Sequence, residues 1–182
     1  MRKKTAMLPR AAGWVLAAAT AGCAAPAPVR LSEEPIAAKI RFVNQIDKTL
    51  INLYPATECN NGFNVINNHW LGHAIQAASG VAPRRAQMLD PVDPADRNVA
   101  EIAVAPLQVV NVGTFSAPGV NCLGGLSFTA REKTQYEVKL APGSGGRCQL
   151  TVSTLERLDG AVMRLPVNDV GPLICRSARQ QQ

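Results

Sequence analysis

The sequence lacks the usual marks of catalysis. It contains no Gly-x-Ser-x-Gly elbow, no His-Glu-x-x-His and no Cys-x-x-Cys. Those absences remove the common signatures of a serine hydrolase, a zinc peptidase, a thioredoxin-like site and a zinc knuckle. Histidine is almost missing, with only His69 and His73 in the chain, so a Ser or Cys nucleophile would have no other imidazole to serve as its base. Gly143, Gly145 and Gly146 fall in a hairpin-like loop rather than between a strand and a helix, which does not suit a phosphate cradle. No internal repeat is visible, and no basic patch stands out. Arg84-Arg85 is an isolated pair and reads as solvated surface, whereas nucleic-acid binding needs a clustered basic face. The longest apolar run, Ala11 to Gly22, is twelve residues, and a spanning helix needs roughly 20. The chain therefore reads as a protein that is not an enzyme, binds no nucleic acid and carries no cofactor.

What is present begins at the amino terminus. Arg2, Lys3, Lys4 and Arg10 precede an alanine-rich apolar stretch with no acid among them, and small residues follow. That order describes a secretory signal peptide over residues 1–22. Its last residues, Thr20-Ala21-Gly22-Cys23, look like the lipobox of bacterial lipoproteins, although the usual pattern has leucine where this chain has Thr20. The resemblance implies that the Cys23 thiol receives a diacylglycerol, that the signal is cut before it and that the new amino terminus is acylated. It also implies the outer membrane, because Ala24 rather than aspartate follows the cysteine. Each buried CH₂ contributes about 0.8 kcal/mol, so several acyl chains hold a protein on a membrane without a spanning segment. The alternative is ordinary cleavage nearby, leaving a soluble periplasmic protein.

Maturation changes the composition. The four leader cations separate the 19 basic residues of the whole chain from the 15 after the cut, against 13 acidic residues throughout. The net charge falls from +6 to about +2. Residues 23–35 carry the lipidated cysteine and an Ala/Pro-rich tether, AAPAPVRLSEEP, expected to be an extended, semi-stiff spacer. Residues 36–182 are then one domain, long enough for a proper core. Setting Cys23 aside leaves Cys59, Cys122, Cys148 and Cys175, an even set that an oxidising compartment turns into two disulfides. Three pairings are open. The favoured one is Cys59–Cys122 with Cys148–Cys175, because the second pair flanks the last strand region.

Within the domain, alternation dominates. Ile40 and Phe42 share one face, as do Ile51 and Leu53, and the turn-like Asn44–Lys48 between them suggests a hairpin. Further strands are expected over Asn98–Val104, Leu107–Thr114, Leu126–Thr129, Tyr136–Leu140, the Cys148-Leu150-Val152 stretch and, as the last, Ala161–Leu165. About eight short strands with turn signals between them predict an all-β fold. The expected form is an antiparallel β-sandwich, immunoglobulin- or transthyretin-like in general shape, with a small barrel as the alternative.

One segment breaks the pattern. Asn68 is a candidate N-cap and Gly80 a candidate stop, and Leu71, Ala74, Ile75 and Ala78 recur at helical spacing. A short helical insertion over residues 68–79 would put His69, His73 and Gln76 on its polar face. Asp90, Asp93 and Asp96 follow in a loop with two Asp-Pro steps. Its prolines and lack of glycine suit turns rather than a calcium loop. Two functions remain. The first is a non-enzymatic envelope lipoprotein, held on the membrane by its anchor, that binds an envelope protein or cell-wall component through a loop around Trp70. The second is a periplasmic metal-binding protein using His69 and His73, which at i, i+4 share a helix face.

Overall fold

The computed structural model describes residues 31–54, 63–67, 86–93, 96, 98–117, 119–120, 122 and 124–173. Among the described residues ten strands run in chain order: β1 (Ala38–Asn44), β2 (Thr49–Tyr54), β3 (Phe63–Asn67), β4 (Val99–Val104), β5 (Val109–Ser116), β6 (Gly124–Thr129), β7 (Gln135–Pro142), β8 (Cys148–Leu158), β9 (Ala161–Pro166) and β10 (Gly171–Pro172). They form two five-stranded sheets, ordered β4-β1-β7-β8-β9 and β10-β6-β5-β2-β3. The expected β-sandwich is the architecture. The barrel is not, because each sheet ends on separate edge strands. All pairings but one are antiparallel. β1 and β7 run parallel, from Lys39 opposite Gln135 to Asn44 opposite Leu140. Between them the chain runs through strands of the second sheet, a crossover long enough to bring two strands of one sheet side by side in parallel.

The core lies between the sheets. From the first sheet come Ile40, Phe42, Ile102, Tyr136, Val138 and Leu140, and from the second Ile51, Leu53, Val110, Val112, Leu126 and Phe128, all buried. Each such aliphatic or phenyl side chain contributes about 1.5–3 kcal/mol on burial. Tyr136 is buried with its hydroxyl satisfied: the oxygen accepts from Arg131 N at 3.0 Å and donates to Thr129 O at 3.4 Å. Those bonds pin the crossing from β6 to β7.

The expected β1–β2 hairpin does not form, because the two strands belong to different sheets. Asn44 and Thr49 are both fully buried at the corner. Asn44 Oδ1 accepts from Ile46 N at 3.1 Å, and Asn44 Nδ2 donates to Thr49 O at 3.3 Å. Thr49 Oγ1 lies 2.7 Å from Ile46 O. Side chains thus satisfy backbone groups that a hairpin ladder would otherwise have paired. By contrast, the loop carrying Gly143, Gly145 and Gly146 does join a hairpin, with Pro142 opposite Cys148. Gly145 and Gly146 hold φ of 65° and 70° there, a left-handed backbone that glycine adopts without steric cost.

Two strands escape the sequence pattern. β3 places Val65 and Ile66, adjacent residues, both in the core. A register shift between Ile51 and Asn52 accommodates them, so strict alternation is lost where a bulge intervenes. Ala161–Leu165 is not the last strand, since Gly171–Pro172 adds to β6 opposite Leu126 and Ser127. At the start, residues read as spacer are already laid on the free edge of β4. Leu31 bridges Val104, and Ser32 N donates to Ala103 O at 3.0 Å.

Among the described residues a disulfide joins Cys122 to Cys148, 26 residues apart, with Cα atoms 5.0 Å from each other. This corrects the favoured pairing, in which Cys122 belonged with Cys59 and Cys148 with Cys175. Cys148 opens β8 and packs against the core from the first sheet. Cys122 follows β5 of the second sheet and is buried. The two sulfurs meet across the sandwich. Cys59 and Cys175 lie outside the described residues.

Candidate functional site

The sequence-derived site residues fall mostly where the structure is silent. Cys23, His69, Trp70 and His73, and the expected helix over 68–79, lie outside the described residues. Among the described residues no group of three or more His, Cys, Asp or Glu side chains is placed to hold a metal ion. The aspartate loop acts as turns and a tie. Asp96 Oδ1 accepts from Asn98 N at 2.8 Å, and Asp90 goes to an arginine.

That arginine leads to the main concentration of chemistry, a ladder of charges on the outer face of the first sheet. Register builds it. Arg41 of β1 stands opposite Glu101 of β4 on one side and Glu137 of β7 on the other. Alternation that sends Ile40 and Phe42 inward sends Arg41 outward, yet Arg41 is only 1% exposed. Its Nε donates to Glu101 Oε1 at 2.9 Å, and its Nη2 lies 2.8 Å from the same oxygen as an ion pair. Its Nη1 lies 3.8 Å from Glu137 Oε2 and finds no hydrogen-bond acceptor among the described residues. Arg164 of β9 reaches over β8, whose residue opposite Glu137 is the small Ser153. It grips Glu137 with both arms, Nε to Oε1 at 2.8 Å and Nη2 to Oε2 at 3.0 Å. Arg164 Nη2 also meets Asp90 Oδ2 at 3.1 Å.

A strap of residues 87–90 covers this ladder. Arg41 Nη2 donates to Leu89 O at 3.0 Å, and Leu89 N donates to Gln135 Oε1 at 2.6 Å. Lys39 Nζ donates to Gln87 O. Acid and base alternate from Glu101 through Arg41, Glu137 and Arg164 to Asp90, so no like charges are adjacent in the chain of contacts. The Arg164 guanidinium is held above its ordinary pKa, first by the bonds to Glu137, with burial working against them and Asp90 adding to them. The exposed Arg164–Asp90 end contributes about 0–1 kcal/mol. The buried Arg41 end behaves differently, because removing one partner strands the others without water. Chemically the arrangement fixes charge and ties the strap to the sheet, with both buried glutamates serving as acceptors for guanidinium groups.

A smaller polar patch lies on the outer face of the second sheet. Tyr54 is buried over Gly113, where a Cβ would come within 2.7 Å of its ring. Asn52 Nδ2 donates to the Tyr54 hydroxyl at 3.2 Å, and the tilted Phe115 ring lies 6.5 Å away. Burial raises the Tyr54 phenol above its ordinary 10.0, and the Asn52 bond opposes that shift. A raised folded pKa on a phenol means stability that is present below about pH 10 and lost as pH climbs through the folded value. Ultraviolet titration should show this phenol ionising late, and Tyr54→Phe should soften the alkaline loss of stability. Ionisation of Tyr54 at the ordinary value would contradict its burial.

Sequence reasoning missed the ladder, although part of its signal is in the chain. In three strands a charge stands between two apolar residues, as Ile40-Arg41-Phe42, Ala100-Glu101-Ile102 and Tyr136-Glu137-Val138. Opposite signs at strand centres suit cross-strand pairs, but only strand order says which pair. No helix of the described residues is long and apolar enough to cross a membrane. Set against protein-family models and curated proteins, the chain matches none.

Proposed function

We propose that the protein is a lipid-anchored, non-enzymatic component of the bacterial cell envelope, placed at the outer membrane. In this reading it is a disulfide-stapled sandwich that presents a binding surface to an envelope protein or cell-wall component. The observation that carries it is where the chain enters the fold. Leu31 is already on the edge of β4, eight residues after the lipobox-like Cys23. At no more than ~3.6 Å per residue the leash is under about 30 Å. A domain so tied works close to a lipid surface. The Cys122–Cys148 bridge supports export, since such bonds persist in oxidising compartments. Its partner surface is expected on loops, with the segment around Trp70 as the first choice, because rigid strands scaffold and loops bind.

The test is metabolic labelling with palmitate. The wild-type chain should incorporate label and fractionate with membranes, and Cys23→Ser should lose both. Label retained by Cys23→Ser, or absent from the wild type, would remove the anchor.

A further inference from the structure

Seven large apolar side chains are exposed among the described residues, and six of them gather at one end of the sandwich. They are Leu31, Ile36, Leu107, Leu158, Met163 and Val170. Only Phe115 sits at the other end, opposite Leu50 near the β1–β2 corner. The crowded end is the one the anchor segment enters.

Register puts these residues at one level. Val104 pairs with Ala38, next to Lys39 opposite Gln135. Tyr136 pairs with Thr154, so two residues further Glu156 and its partner Met163 come level with Val104. Leu31 is level with it through its bridge. Leu158 lies two residues beyond along β8, Leu107 three beyond Val104 in the β4–β5 turn, and Ile36 two ahead of β1. Asp169, paired to Arg131 at 3.2 Å, brings Val170 to the same end. The result is a rim spanning both edges of the first sheet. Leu107 is its most exposed member at 71%, and it holds φ of 60°. A γ-branched apolar residue at a left-handed turn tip in water serves neither local geometry nor packing.

We infer that this rim rests on the bilayer that holds the anchor, with its apolar side chains at the boundary between headgroups and acyl chains. The inference rests on the lipid-anchor reading, because the short leash delivers this end, and not the Phe115 end, to the membrane. Its charges limit the lipid. Arg131, Lys133 and Arg157 stand among six acids, from Glu33 and Glu34 to Asp169, so attraction to anionic headgroups does not drive the contact. Apolar burial does, and the expected surface is electroneutral lipid.

The experiment uses the lipidated, full mature chain in phosphatidylcholine vesicles with brominated acyl chains. Leu107→Trp and Phe115→Trp variants are compared with the parent, whose Trp70 sets the background. Flotation with the vesicles reports the anchor, and loss of tryptophan emission reports the rim. Leu107→Trp should lose a larger fraction of its emission than the parent, Phe115→Trp should match the parent, and added phosphatidylglycerol should not deepen the loss. Flotation without extra quenching in Leu107→Trp would overturn the rim while leaving the anchor. Failure to float would overturn both. Unquenched Leu107→Trp emission that shifts to the blue with protein concentration would place a second copy on the rim, against lipid contact.

Discussion

Arg41→Ala should destabilise the domain by about 3–5 kcal/mol, the cost typical of breaking a buried ion pair from one side. Arg41 is the hub of the outer-face ladder, and its loss leaves Glu101 buried without the guanidinium that supplies its hydrogen bond and its ion pair. It also releases Leu89 O and so one tie of the strap. Glu137 suffers less, because Arg164 still grips it with two bonds. A domain of this size loses roughly 3 °C of Tm per kcal/mol, so thermal unfolding should fall by about 10 °C or more. The double variant Arg41→Met, Glu101→Leu should recover most of that loss, since an apolar pair of similar volume strands no charge. Circular dichroism melts of the three proteins check both statements. A loss below about 1 kcal/mol in Arg41→Ala would mean that water reaches the ladder, as it does for exposed pairs.

Removing the bridge with Cys122→Ala and Cys148→Ala should cost about 3.5 kcal/mol, the chain-entropy value for a loop of that length. The closed segment of 26 residues contains β6 and β7, one from each sheet, so the bridge restrains the crossing between layers. Denaturant unfolding with and without reductant measures the effect. Peptide mapping of the oxidised protein should recover Cys122 joined to Cys148. A peptide joining Cys59 to Cys122 would sink the assignment and restore the pairing expected from strand flanks.

Much of the first sheet could be read along the chain. Ile40 with Phe42, and Tyr136 with Val138 and Leu140, alternate cleanly, because a strand with one face in the core repeats every two residues. β3 could not be read this way. Its buried neighbours Val65 and Ile66 sit at a bulge in β3 itself, where Ile66 faces Ile51, Asn64 faces Asn52 and Val65 is the extra residue between them, and an extra residue breaks the period of two in the strand that carries it. The ladder was half legible. Arg41, Glu101 and Glu137 show as charges flanked on both sides by apolar residues, but Arg164 and Asp90 join them from 27 and 74 residues apart in the Arg164 contacts. The corner at Asn44 shows the same limit, since two strands with one apolar face each suit a hairpin and an arch equally.

Local composition along the chain established the β class and the even set of cysteines after Cys23. These follow from period, length and residue type, which are properties of short stretches. Packing alone decided that β1 and β2 face each other across the core, that β1 runs parallel to β7 and that Cys122 meets Cys148. The same packing buried a charged ladder on an outward face and set six apolar side chains around the end where Leu31 joins β4. Each of these depends on which distant strands become neighbours. That choice is made by the whole core closing at once, and no window of the sequence contains it.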